Sequence, residues 1–292
     1  MTPEQIQNIY ATVDEGSLLI GLAILSIEIV KSLFAKPFSG RGYMDMVASF
    51  ATQIPSISFE VLILSLAYVG YVFIADAFVA WTFSMSVWSM VLTVLACDFV
   101  YYWEHRIAHE VRLFWTQHAV HHSSRYMNTS VAVRFGPLEG VLTIISHLPL
   151  VFIGFPPAFI FFGILFVLAY QIWIHTELIG RLGILDAFLN TPGNHRVHHG
   201  SDDKYIDKNY GGILIIWDHL FGTYQREEER PRYGLKRDFD SVNPFLVWVS
   251  ELPQLFRDLK NTRSLREVRM YIFGRPGWAP STPHNYSSRQ DI

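Results

Sequence analysis

Histidine is the residue whose spacing calls for a chemical explanation. The chain has 12, and ten lie between positions 105 and 199. They form an HxxxH at His105 and His109, an HxxHH at His118, His121 and His122, and a second HxxHH at His195, His198 and His199, with His175 alone between them. On a helix, positions i, i+3 and i+4 share a face, so each group aims its imidazoles in one direction. His109 and His118 are nine residues apart, about 180° around a continuous helix. The chain must therefore break between them if both groups are to face one point. Nine neutral imidazoles buried without partners would be costly. Neutral imidazole is the commonest side-chain metal ligand and suits iron, zinc, copper and nickel. Nine nitrogens exceed the four ligands of one zinc ion, whereas two metals with four or five nitrogens each use them all. The Glu-x-x-His pattern of soluble di-iron bundles is absent. An HExxH zinc motif begins at His109-Glu110 and fails at Leu113. Unconnected pH-sensing or interfacial histidines are the bland alternative, which three groups at helical spacing disfavour.

The elements that must position these groups are apolar. Of 292 residues, 50% are hydrophobic and 17% charged, against about 25% charged in an average soluble domain. The apolar residues are clumped at 17–34, 57–80, 87–103, 137–154 and 158–174. Each stretch is close to the roughly 17–25 residues that cross a bilayer. The first is the weakest: Glu28 and Lys31 lie inside it, and either pair at i, i+3 or mark an amphipathic surface helix. Four to five transmembrane helices are therefore expected. The 23 Lys and Arg alternate with the spans: three between positions 31 and 56, four between 105 and 136, and 16 from Arg181 onward. This places the basic segments on the cytoplasmic side. The connections at 81–86 and 155–157 are short, so spans two and three, and four and five, are expected as hairpins. His105 ends the third span and His175 the fifth, so both emerge on one side, and all nine histidines converge at one membrane surface. Metals held there, beneath apolar spans, would meet an acyl chain arriving from the bilayer.

The expected fold is an all-α integral membrane protein, one membrane-embedded domain over 1–292. A cytosolic, helical, His-rich di-metal cap is expected at 104–136 and 175–280, with a flexible tail at 281–292. Residues 243–272 have helical periodicity with anchors at Trp248, Phe256 and Tyr271, which predicts a helix against the membrane face. Residues 1–17 lack the basic stretch of a secretory signal. The net charge of −3 favours no nucleic-acid partner, and one cysteine, Cys97, excludes an intrachain disulfide framework. Cys97, within a span, reads as packing. His147, mid-span, reads as a packed or hydrogen-bonded residue, His219 as a candidate near the metals, and His284 as a tail residue. Groups that could orient the imidazoles are Asp98, Glu110, Glu177 and Asp218, with the amides of Asn128 and Asn190. Glu110 has the alternative of pairing with Arg106, and Asp207 and Lys208 that of a solvated turn. Arg125, Arg134 and Arg196 could touch lipid headgroups. The substrate-binding residues are not legible.

HxxxH, HxxHH and a distal HxxHH after a membrane hairpin resemble the fatty acid hydroxylase/sterol desaturase superfamily. Finer matches resemble its alkylglycerol monooxygenase branch: DFVYYWEHRIAHE at 98–110, HHSS at 121–124, IWIHTE at 172–177, NTPGNHRVHHG at 190–200, DKNY at 207–210 and GRPGW at 274–278. The chain is shorter than that branch, and Asn194 stands where the branch commonly carries another histidine. The resemblance implies two iron ions on the nine histidines, for which zinc can substitute on purification. It implies O2-dependent hydroxylation of a membrane lipid C–H, the ether-linked carbon of alkylglycerols in this branch, with tetrahydrobiopterin as reductant. Sterol desaturation, C-methyl oxidation or fatty-acyl hydroxylation are the alternatives within the superfamily, and a metal-binding transporter or sensor the alternative outside it. No GxGxxG dinucleotide fingerprint is present, so electrons are expected from a separate donor, a pterin or a redox protein. The expected location is the cell inner membrane in a bacterium or the endoplasmic reticulum in a eukaryote.

Overall fold

A computed structural model of the chain describes residues 2–35 and 40–280; His284 and the tail lie outside the described residues. The architecture is helical, and among the described residues β structure is limited to two isolated bridges, Leu189 with Leu214 and Gly200 with Tyr233. Five long helices come first: α1 (Pro3–Ala35), α2 (Gly40–Phe78), α3 (Val87–Glu110), α5 (Glu139–Ile153) and α6 (Pro157–Gln171), with α4 (Arg112–His122) set between the third and fourth of them. The remainder is short: α7 (Pro192–His198), α8 (Ile216–Phe221), α9 (Pro244–Trp248), α10 (Leu252–Lys260) and α11 (Leu265–Phe273).

Two helical stretches, Gly40–Phe78 and Pro157–Ile174, are long and apolar enough to cross a membrane, each with a mean hydropathy of 2.0 in its best window. α5 is apolar but has only 15 residues. The 39 residues of α2 would extend about 58 Å, nearly twice the roughly 30 Å of a hydrocarbon core. Its outward face is apolar along the whole length, from Val47 and Ile54 to Val69 and Phe73, while its buried side changes from a polar stripe of Asp45, Ser49, Thr52 and Ser56 to the apolar Tyr71 and Ala75.

The α2–α3 and α5–α6 turns meet at one end of the bundle, where Phe83 N donates to Gly154 O at 2.9 Å and the Phe83 and Phe155 rings lie 4.9 Å apart. The packing is not that of two paired hairpins. α3 lies chiefly on α6 and α5, α2 packs on α5 and α6, and α2 and α3 make little contact with each other. The closest approach is between α3 and α6: a Cβ at Gly163 would lie 2.6 Å from Cys97 Sγ. Cys97 is thus a packing residue in the core with Tyr71, Val151, Ile160 and Val167.

α1 packs along α6. Glu28 does not pair with Lys31. It is buried and accepts from Thr129 N at 2.9 Å and Thr176 Oγ1 at 2.5 Å, docking α1 onto the cap. Arg134 is also corrected from a headgroup contact. It is fully buried, donating to Asp45 Oδ1 at 3.1 Å and Ser49 Oγ at 3.2 Å on α2, and to Ser123 Oγ at 2.9 Å beside α4. Breaking such a buried pair costs about 3–5 kcal/mol. Arg196 bonds Glu227 and the carbonyls of Thr176 and Ile179. Arg125 is exposed and pairs with Asp238. His147 is buried and donates from Nδ1 to Thr143 O at 2.9 Å.

Candidate metal centre

The break expected between the first two histidine groups falls at Val111, whose extended backbone (φ −114°, ψ 115°) separates α3 from α4. Arg112 fixes the start of α4. Its N–H donates to Gly274 O at 3.0 Å and its guanidinium to Asp258 Oδ2 at 2.5 Å. At the other end, Thr191 caps α7 by accepting from Asn194 N. Asn194 donates from Nδ2 to Asp186 O at 2.8 Å and Leu189 O at 3.0 Å, so this amide shapes the approach to α7.

All nine histidines are buried, and they separate into two groups. His105, His109, His118, His122 and His198 form one; His121, His175, His195 and His199 form the other. Within each group the nitrogens that could hold a metal lie within 4.8 Å of one another. The two HxxHH motifs are used in opposite senses. In the first, the outer pair His118 and His122 joins the five-membered group and His121 the other. In the second, His195 and His199 join the four-membered group and His198 the other. The HxxxH pair then adds two rings to one group, and His175 adds one to the other.

The ring protons can be placed from their acceptors. A ring nitrogen facing a carbonyl must carry the proton, leaving the second nitrogen bare. Nδ1 of His105 faces Tyr210 O at 2.9 Å, Nδ1 of His175 faces Gln171 O at 2.7 Å, and Nδ1 of His198 faces Lys208 O at 3.0 Å. Nδ1 of His118 donates to the Glu139 carboxylate. In His105, His175 and His198, which burial keeps neutral, Nε2 is therefore bare. His105 Nε2 lies 3.0 Å from His118 Nε2. His122 Nε2 lies 3.2 Å from His118 Nε2 and 3.1 Å from His198 Nε2, and one proton can serve only one of them. Buried His109 Nε2, His121 Nδ1 and His195 Nδ1 have no hydrogen-bond partner. The nitrogens that converge within each group could hold a cation. The donor set of neutral imidazoles fits a pair of transition metals.

Electrostatics agree. Burial, reinforced by neighbouring rings, pushes His105, His109, His121, His122, His195 and His199 well below the usual imidazole range. Burial likewise takes His175 down to about 4 and His198 to about 3. The rings are neutral at pH 7, the state a metal requires.

The carboxylates and amides expected to orient the imidazoles act elsewhere. Asp98 accepts from Ile213 N at 2.6 Å, Leu214 N at 3.2 Å and Trp217 Nε1 at 2.8 Å, pinning a loop to α3. Asp218 accepts from Tyr210 N and Gly211 N, both at 2.8 Å, and from Thr223 Oγ1 at 2.6 Å. Each therefore acts at one remove, by fixing the segment whose Tyr210 carbonyl meets His105. Asn190 Nδ2 donates to Gly211 O at 2.6 Å in the same segment. Glu110 pairs with Arg106 at 3.0 Å and Arg275 at 3.2 Å, and Glu177 with Arg230 at 2.5 Å. Asn128 caps the short turn Thr129–Val133. His219 stacks on Tyr224 with ring centroids 3.9 Å apart and joins neither group.

Sequence reasoning missed Glu139, which lies 21 residues from the ring it meets, and the backbone of 207–210. In that loop Asp207 (φ 58°) and Asn209 (φ 57°) adopt the left-handed conformation, which Asp and Asn tolerate better than most residues. Asp207 Oδ1 lies 3.6 Å from His109 Nδ1, so this turn faces the site. Asn209 locks it by donating to Asn194 O at 3.0 Å and Gln225 O at 2.8 Å. The signal was the DKNY string itself.

A cavity of about 810 Å³ reaches the five-histidine group through His109, His122 and His198, while His199 alone represents the other group. Its walls include Trp115, Ile206, Leu235, Tyr271 and Trp278. It lies among α4, α10, α11 and the 274–280 segment, at the cap rather than between the long apolar helices.

Residues 90–223, which contain all nine of these histidines, match the fatty acid hydroxylase family. Over 97% of its length the chain is 36% identical to an alkylglycerol monooxygenase of Danio rerio, covering 64% of that protein. It is 37% identical to the alkylglycerol monooxygenase of Homo sapiens over 90% of the chain, covering 59% of the human protein. Over 46% of the chain it is 34% identical to an ornithine lipid hydroxylase of Rhizobium tropici, covering 41% of it. The chain thus spans less than two thirds of the length of these relatives. No solved structure matches it.

Proposed function

We propose that this protein is an O2-dependent di-iron monooxygenase of the membrane that hydroxylates a lipid C–H bond, the ether-linked carbon of an alkylglycerol being the first substrate to test. The observation that carries the proposal is the division of nine buried imidazoles into groups of five and four beside an aromatic-walled cavity, in the stretch that matches the fatty acid hydroxylase family. Bound iron would supply the one-electron and O2 chemistry that amino acids lack. His105, His109, His118, His122 and His198 would hold one ion, and His121, His175, His195 and His199 the other. The carbonyls of Tyr210, Lys208 and Gln171 and the Glu139 carboxylate fix ring tautomers, so bare nitrogens are presented before metal arrives. The cavity walls supply apolar contact for the lipid and keep water from the reacting carbon.

In this reading α1, α2, α3, α5 and α6 lie in the bilayer and the histidine-bearing end faces the cytoplasm. The outward apolar residues of α2 and the Lys and Arg distribution support that orientation. The electron donor is a separate molecule, with tetrahydrobiopterin as the candidate to test. The test feeds labelled alkylglycerol to membranes containing the protein, with and without the pterin, beside a His121→Ala control. Fatty aldehyde formed only by the wild type, with O2 and two irons per chain, is the expected result. Metal flux into liposomes without lipid turnover would replace the enzyme by a transporter.

A further inference from the structure

We propose that the α10–α11 hairpin docks on an anionic bilayer surface and so seats the roof of the cavity against the membrane; the proposal rests on the membrane reading given above. The argument starts from the cations. Elsewhere in the cap most are spoken for: Arg112 by Asp258, Arg196 by Glu227, Arg237 by Glu251 and Arg275 by Glu110. On the hairpin, Lys260, Arg263, Arg266 and Arg269 are exposed and make no ion pair among the described residues. Phe256, Leu265 and Phe273 are exposed on the same hairpin, at 64%, 88% and 59%. Such exposure is expensive in water and natural at a lipid interface.

Helical register places these residues together. Phe256 and Lys260 are at i, i+4 on α10, and Arg266, Arg269 and Phe273 at i, i+3, i+7 on α11. Leu255, Asp258 and Tyr271 are buried on the other side, and Asp258 and Tyr271 line the cavity. One face of the hairpin thus closes the cavity, and the other carries exposed cations, without an ion pair among the described residues, between apolar side chains. Mixed basic and apolar character suits an anionic lipid surface, where each cation strengthens binding roughly fivefold. The latch of Arg112 on Asp258 and its approach over the Tyr271 ring at 5.5 Å connect this hairpin to histidine-bearing α4.

The test places the full-length protein in nanodiscs of phosphatidylcholine alone or of a phosphatidylcholine–phosphatidylglycerol mixture and follows amide hydrogen exchange. The expected result is slower exchange across 256–273 in the anionic discs, by about tenfold or more. The slowing should disappear in the triple variant Arg263→Gln, Arg266→Gln, Arg269→Gln and at high salt. Equal exchange in both discs, or slowing that survives the triple variant, would overturn the proposal. The long apolar helices report separately on the membrane reading, because their protection should be the same in both lipids. Turnover is not the readout, so failure here leaves the oxygenase reading to its own test.

Discussion

The two histidine groups are built from mirrored halves of the same motif and are nevertheless different environments. The five-membered group borders the cavity through three of its rings, and three of its Nδ1 atoms are held, by Tyr210 O, Lys208 O and Glu139. The four-membered group touches the cavity only through His199. Of its rings, His175 is tied to Gln171 O, whereas Nδ1 of His121 and His195 has no partner. One group therefore has a fifth ring, a braced orientation and access to the cavity. The other has four rings and relies on packing. The difference teaches that equal spacing in two motifs does not give two equal sites; the supporting backbone sets them apart.

That comparison can be broken by mutation. The largest effect is expected from His195→Ala, which leaves three imidazoles where four were present. Metal analysis should show the loss of roughly half the bound metal and no lipid oxidation, because an open position weakens a site. His109→Ala leaves four of five and should retain most of its metal; equal loss in the two variants would erase the asymmetry. Next is Asp218→Ala, which frees the Tyr210 segment. Chelator competition should show about 10–100-fold weaker metal binding, confined to the five-histidine group. Weakening of both sites alike would show that Asp218 merely supports the fold. Glu139→Gln keeps an acceptor for His118 and should cost about tenfold or less in affinity, with Glu139→Leu worse than Gln; the opposite order would remove Glu139 from its orienting role. The smallest change in metal content belongs to Trp278→Ala. It opens the cavity wall, so KM for the lipid should rise while metal stays bound, and a KM unchanged from wild type would place the substrate elsewhere.

Much of the site was legible because helical spacing and ligand chemistry are both local. HxxHH and HxxxH dictate which rings share a face, and nine imidazoles are more than one metal needs, in line with the two groups found. The orienting groups were not legible, since proximity in sequence misdirects. Asp98 and Glu110 flank the first motif and bond none of the nine imidazoles, whereas Glu139 does so across an intervening turn. Backbone carbonyls leave no residue-type signature at all. The helix content followed the apolar stretches, but their pairing did not. A short connection fixes that two helices are consecutive and not that they touch, and the small Gly163 beside Cys97 lets α6 approach α3 closely.

By itself the sequence determined a helical chain with long apolar segments, basic residues confined to a few stretches between and after them, and nine histidines at metal-ligating intervals. Those properties are set by residue type and period. The tertiary structure decided how the nine divide into five and four, which rings meet a carbonyl, and that the cavity opens at the cap rather than among the apolar helices. These are contacts between residues up to some 100 positions apart, such as His105 with Tyr210. They arise only when the break at Val111, the buried Arg134 and the left-handed turn at 207–209 bring separate helices to one place.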